Sequence, residues 1–538
     1  MSETSREQVA IIGGGPSGLV AARWLAAHGF DPIIFEQSDA VGGQWHGAAA
    51  HSGVWPAMRT NTSRVMTAFS DLDYPVGTSV YPKNQDVHAY LRRYTETFDL
   101  TPRIRLRSTV ERLARSSDGK GWQVDVRSSN GTRQSASFAK VVVANGRHRK
   151  PQTPTVGGLD RFSGRLGATH TFSYKSPEQY RGARVLVCGC SISALEIASD
   201  LVMLGAERVA TANRRQRYVI QKLLGGVPAD HRVFTRFAAL AGESFPPDVS
   251  AAGLRELILQ TSGSPEQFGA PKPLDSVLAA GITLSHHYLP LVAEGRIACY
   301  PWLSGVRGQT VTFSDGREED FDAIIFGTGF ALDMPFLAAE IRTTLDIDGE
   351  HLDLHKFTFH PDLPGLAFIG AFDQVGPFFP VTELAARWIA YAWSGVRPMP
   401  TREDMQAGID AYRARRGGPQ SVPMHVAAVM FSRAAGVEPD VTTWPGLLRA
   451  LMFGPLAAIG FRLEGPDALP DAAQRFAAAA AAFGAIQSPA LAPSEAGRLQ
   501  ALAQARHDER LSVLIASQTA GAAGSVPGGP TSAPSPAV

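Results

Sequence analysis

The feature that most constrains this chain is a glycine-rich turn, Gly13-x-Gly15-x-x-Gly18, set between a β-rich run at residues 9–12 and an apolar stretch of helical period at residues 19–28. In a strand–turn–helix unit each glycine has its own task. The first permits the tight turn, the second lets the backbone approach a pyrophosphate, and the third lets helix and strand pack closely. The helix N-terminus adds N–H donors and the positive end of its dipole. A further β-rich run at 31–36 ends on Glu36, where a carboxylate can bind ribose hydroxyls. A lone glycine pattern is weak, but with the strand, the helix and the acid in place it predicts a dinucleotide site in a βαβ unit.

A similar unit begins at residue 184. A strand at 184–187 leads into Gly189-Cys190-Ser191-Ile192-Ser193-Ala194 and a helix at 192–204, with another strand near 208–212. Serine and alanine replace the second and third glycines, yet both are small enough for close approach. The strand after the helix ends without a carboxylate. Arg214 and Arg215 stand there instead, as a ribose 2′-phosphate requires, which favours NADPH over NADH. Two nucleotide sites in one chain imply that one cofactor delivers hydride and the other accepts it.

Bulk properties set the limits. A chain of 538 residues is too long for one ordinary core. With 44% hydrophobic and 19% charged residues and a formal charge of +1, it is globular and carries no basic block for nucleic acid. Three cysteines, a polar N-terminus and no apolar run of membrane-spanning length point to a soluble, cytoplasmic protein with no evident membrane anchor. Residues 103–144 alternate like a β-meander, with turns at Asp118-Gly119 and Asn130-Gly131. Residues 223–290 are loop-rich and helical, 296–326 return to strands, and 382–394 predict a helix. The Ala-rich 416–515 is helical, and the Gly/Pro/Ser/Ala tail from 518 is too poor in apolar residues to fold.

The residues ahead of the second unit resemble the flavin-containing monooxygenases, whose signature is FxGxxxHxxxY. Here Phe162-x-Gly164 is followed by His170-x-x-x-Tyr174, with a spacer two residues longer than the family's. The related Baeyer–Villiger enzymes carry Trp at the Tyr174 position. Gly42-Gly43-Gln44-Trp45, Arg59-Thr60-Asn61-Thr62, Asn145-Gly146, Gly327-Thr328-Gly329 and the late block around residues 451–466 resemble family motifs too. The resemblance implies an α/β fold with two Rossmann-like dinucleotide-binding domains and a helical C-terminal extension. A discontinuous FAD domain (1–160 and 311–415) would hold an inserted NADP domain (161–310). The extension would run over 416–517, and a disordered tail would follow at 518–538.

It also implies roles. Gly13, Gly15, Ser17, Gly18, Glu36, Gln44, Trp45, Asn61 and Thr62 would hold FAD. Thr60, Asn61, Ser191, Ser193, Ala194, Glu196 and Arg214 would hold NADPH. The implied chemistry is insertion of one atom of O2 into a small organic substrate through a C4a-hydroperoxyflavin. N- or S-oxygenation leads, and Tyr174 leans toward it. Baeyer–Villiger oxidation of a ketone is the alternative, and a non-oxygenating dinucleotide-binding flavoprotein is the reading from another class. Asn61 is the candidate catalytic residue, because a neutral amide donates and accepts without supplying acid. Its competing role is to close an Asx turn in its own loop. His170 and Tyr174 fit a structural link between domains as well as a chemical role. Cys188 and Cys190 fit small buried residues better than a redox pair. His351, His355 and His360 fit solvated or packed side chains better than metal ligands. A homodimer is left open.

Overall fold

The computed structural model describes residues 6–418 and 421–523, with side chains to residue 518. Two parallel sheets of five strands organise it. In the first, the strands run in the order Leu366–Phe368, Lys140–Val143, Gln8–Ile12, Asp31–Phe35, Ile104–Arg105. In the second the equivalent order is Gly167–His170, Ala323–Phe326, Arg184–Cys188, Arg208–Asn213, Ile297–Pro301. Every pairing is parallel. The central strands, such as Ala323–Phe326, are buried throughout, as expected for sheets covered on both faces. Each sheet also receives the same insertion, just ahead of the strand that stands second in these orders, Lys140–Val143 or Ala323–Phe326. The predicted meander is a three-stranded antiparallel sheet, Ser108–Arg115, Trp122–Ser128 and Arg133–Phe138. Its counterpart is Leu303–Arg307, Thr310–Phe313 and Glu318–Asp320.

This pairing moves the expected domain boundary. A break at 310/311 would cut the pair Leu303–Arg307 and Thr310–Phe313 apart. The strand Ala323–Phe326 lies beside Arg184–Cys188, so the second unit keeps the chain until after residue 326. The signal was ambiguous because a short buried strand looks alike in either sheet. The longer spacer after Phe162 has a simple resolution: the Gly167 N–H donates to the Gly164 carbonyl at 2.9 Å, closing a tight turn ahead of Gly167–His170.

Helices pack the first sheet. Pro16–Ala27 starts on a proline at its first turn and buries Leu19, Val20, Trp24 and Leu25. Its main helical neighbour, Phe379–Ser394, is buried along nearly its whole length and ends on Gly395 in a left-handed conformation (φ 81°). The C-terminal extension is helical, as predicted. It continues this core: Phe461, Leu463 and Phe476 join the same apolar cluster as Trp24 and Trp388. Arg387 donates to the Phe461 carbonyl at 2.7 Å, and Arg462 reaches Asp71 and Ser70. The last helix, Glu509–Ala523, runs beyond the predicted start of the tail at 518. The rest of that expected tail lies outside the described residues.

The first turn is built by steric necessity. Gly13 has φ 110°, and a Cβ there would sit 2.5 Å from the Ala144 carbonyl oxygen. A Cβ on Gly18 would lie 1.9 Å from the Gly13 carbonyl oxygen, whereas one on Gly15 would meet nothing nearer than the Gly43 Cα at 3.5 Å. Gly18→Ala is therefore expected to cost about 3 kcal/mol of stability, and Gly15→Ala close to none. Urea unfolding checks this, and equal losses in the two variants would contradict it.

Candidate functional site

The two turns face a common cavity of about 1090 Å³. Gly13, Gly15, Ser17 and Glu36 line it on one side and Ser191, Ser193 and Glu196 on the other. Gln44, Trp45, Thr60, Asn61 and Thr62 line it as well. Both helices that follow the turns, Pro16–Ala27 and Ile192–Met203, lack a side-chain cap at their N-termini. Their first N–H groups are thus free to take an anion. The Glu36 carboxylate is buried and fixed, accepting N–H bonds from Gly14 and Ser38, each at 2.7 Å. Thr283 adds a buried hydroxyl on the cavity wall that has no hydrogen-bond partner among the described residues. Orphaned donors around a large cleft fit a bound polyanionic cofactor.

Gln44 and Trp45 reach the site through packing of glycine on glycine. Gly42 donates to the Gly14 carbonyl at 2.9 Å. A Cβ on Gly43 would lie 3.0 Å from the Gly15 Cα, so only glycine lets the short helix Gly43–Trp45 sit against the first turn.

Asn61 belongs to a tightly held loop. The Thr60 N–H donates to the Pro82 carbonyl at 2.9 Å, and the Thr60 hydroxyl to the Thr62 carbonyl at 2.8 Å. Thr62 and Thr67 share a hydroxyl–hydroxyl bond of 2.8 Å. The Asx turn does not form, because the Ser63 N–H donates to the Asp230 carboxylate at 2.6 Å instead. No hydrogen bond among the described residues involves the Asn61 amide, which stays half-buried on the cavity wall.

Three predicted site residues do not line the cavity. Gly18 and Ala194 are packing residues; Ala194 is fully buried, and a Cβ on Gly327 would meet its methyl at 2.7 Å. Arg214 is exposed and stacks over the Trp302 ring at 4.8 Å. Cations that sequence reasoning did not single out do line it, among them Arg217 and Lys222 of the second unit and Arg147 and Arg149. Arg217 closes the same basic run that drew attention to Arg214. Lys222 pairs with Glu196 at 2.8 Å, and Glu196 also accepts from the Ser285 hydroxyl at 3.1 Å.

Two members of the Phe162–Tyr174 motif, His170 and Tyr174, are buried. His170 is buried against Phe330, and its Nδ1 accepts the Phe172 N–H at 3.1 Å. Tyr174 is fully buried between Trp55 and Tyr180, and burial pushes its hydroxyl far above the usual range. Cys188 and Cys190 are buried as predicted. His351, His355 and His360 are all buried, with His351 stacked on Tyr412 at 4.2 Å.

Residues 6–481 match the flavin-binding monooxygenase-like family. The chain belongs to that family. It is 30% identical over 485 residues to dimethylaniline monooxygenase (N-oxide-forming) 2 of Rattus norvegicus, covering 86% of this chain and 89% of that enzyme. Flavin-containing monooxygenase 5 of Homo sapiens is 28% identical over 491 residues, covering 86% and 90%. Among solved structures, the S-allyl-L-cysteine S-oxygenase of Allium sativum aligns with a TM-score of 0.59 at 24% identity, over 80% of this chain and 88% of that one. Cyclohexanone monooxygenase from Rhodococcus sp. Phi1 bound to NADP+ aligns at 0.60 and 17% identity, over 80% and 98%; at these identities the likeness is one of fold. The monooxygenase uses FAD and NADPH with O2 on a small organic substrate. No helix among the described residues is long and apolar enough to cross a membrane.

Burial holds His231 and His355 well below their usual pKa, each at about 4. Their folded-state values are depressed, so the unfolded chain takes up protons first. Their contribution to stability is complete above pH 6.5 and is lost as the pH falls toward 4. Asp230, pushed up to about 6 by burial, has the opposite sign and offsets part of the loss in that window. Replacing His355 by Gln, which takes no proton, is expected to flatten the fall of Tm on acidification. An unchanged slope would contradict this.

Proposed function

We propose that the monooxygenase transfers one oxygen atom to a nitrogen or sulfur nucleophile, with Asn61 as its catalytic residue. The observation that carries this reading is the Asn61 amide, half-buried on the wall of the cavity that both turns face and without a hydrogen-bond partner among the described residues. The N-oxide-forming relative supports the heteroatom choice.

Bound FAD, reduced by NADPH, supplies the activation of dioxygen. The protein binds, orients and shields. The uncapped N–H groups of Pro16–Ala27 and Ile192–Met203 take the two pyrophosphates, and Glu36 takes ribose hydroxyls. Arg217 lines the cavity and takes the 2′-phosphate that selects NADPH. Phe172, Phe330 and Phe378 give the cavity apolar walls that exclude water from the reacting atoms. With FAD bound, the Asn61 N–H would donate to the oxygen to be transferred, and its carbonyl would accept. Neither group delivers the proton that would release that oxygen as hydrogen peroxide.

Two outcomes follow. Asn61→Asp keeps its FAD and oxidises NADPH, but its yield of oxygenated product per NADPH falls about tenfold or more as hydrogen peroxide takes its place. Wild-type yields with a tertiary amine or thioether would contradict the assignment. Arg217→Ala raises the KM for NADPH about tenfold and leaves that for NADH nearly unchanged. Equal effects on the two cofactors would show that Arg217 does not read the 2′-phosphate.

A further inference from the structure

The freedom of the Asn61 amide has a cause outside its own loop. An Asx turn at Asn61 needs the N–H two residues on, at Ser63. That N–H is already taken by the Asp230 carboxylate at 2.6 Å. Asp230 comes from the loop-rich stretch of the second unit, at the start of the short helix Asp230–Val233. Both partners are inaccessible, with Asp230 1% and Ser63 0% exposed. The neighbouring His231, also 1% exposed, places Nε2 3.1 Å from the Ser63 hydroxyl. Two further bonds hold the donor and acceptor segments in register. The Tyr81 hydroxyl donates to the Lys222 carbonyl, and the same carbonyl accepts the Ala229 N–H at 2.8 Å.

A buried carboxylate is costly to keep. Here Oδ2 is satisfied by Ser63, whereas Oδ1 has no partner among the described residues. A packed apolar side chain such as Leu would fill the same space without burying a charge. What the carboxylate adds is a strong, charge-assisted acceptor for one particular backbone N–H.

We propose that Asp230 is a positioning residue for oxygen transfer: by holding the Ser63 N–H, it denies Asn61 its local hydrogen bond and keeps the amide directed at the cavity. This rests on the role given to Asn61 above. Asp230 touches neither substrate nor cofactor and acts only through the loop. The second unit thereby sets the geometry of a residue carried by the first.

The test reads leakage in the holoenzyme without substrate, where NADPH, a proton and O2 become NADP+ and hydrogen peroxide. Asp230→Leu is expected to keep its FAD and raise the leak rate about tenfold. Asp230→Asn, whose carbonyl oxygen still accepts from Ser63, is expected to stay within about twofold of wild type. In an Asn61→Ala background, where leakage is already raised, Asp230→Leu is expected to add less than about twofold, because the two residues act as one unit. If Asp230→Leu does not fold, Asp230→Ser takes its place, since its shorter hydroxyl cannot reach Ser63. A wild-type leak in Asp230→Leu or its replacement, beside a raised leak in Asn61→Ala, would overturn the proposal and leave the Asn61 assignment standing. So would fully multiplicative effects in the double variant. A wild-type leak in Asn61→Ala would instead remove the reading beneath it.

Discussion

Everything in this molecule depends on a backbone approach that only glycine permits, made twice. At the first turn Gly13 presses on the Ala144 carbonyl, and at the second Gly189, with φ 126°, presses on the Gly327 carbonyl; an added Cβ would come within 2.5 Å and 2.4 Å of those oxygens. The surrounding hydrogen bonds repeat as well. Gly13 and Gly189 donate to the Phe35 and Ala212 carbonyls at 2.9 and 2.8 Å, while Ala144 and Gly327 donate to the Ile12 and Cys188 carbonyls at 2.9 and 2.7 Å. Each turn is thus clamped between the two strands that flank its own, at the carboxyl end of a parallel sheet, where such folds bind ligands. Two such ends facing one cavity place an electron donor and its acceptor within reach of each other.

The remaining architecture holds that cavity in shape. The stretch at 223–290 is bound in two directions. Asp230 fixes the Asn61 loop, and Arg236, 2% exposed, donates to Glu438 and to the Leu451 carbonyl, each at 2.7 Å, in the C-terminal extension. The extension in turn packs on Phe379–Ser394, whose first residues, Phe379 and Thr382, line the cavity. A segment that supplies neither turn therefore bears on the geometry of the site through buried arginines. Removing one partner of such a pair typically costs about 3–5 kcal/mol.

Much of this was legible in the sequence. The strand–turn–helix units, Glu36 and the meander turns follow from local rules, in which glycine, a helix start and an acidic residue recur at fixed spacing. Gly18 and Ala194 were legible as close-packing positions, yet that same role keeps them off the cavity wall. What stayed hidden depends on contacts distant in sequence. The strand Ala323–Phe326 carries no mark of which sheet it joins. Arg214 and Arg217 sit in one basic run, and only the path of the chain after Asn213 decides which faces inward. Asp230 meets Ser63 across 167 residues, and nothing local to either predicts it.

The central claim is that two nucleotide cofactors meet in this cavity and that hydride passes between them. Anaerobic addition of stoichiometric NADPH to the purified protein tests it most directly. The account predicts a yellow protein whose flavin absorbance bleaches with NADPH and returns when air is admitted. A colourless protein, or one whose flavin NADPH leaves oxidised, would contradict it.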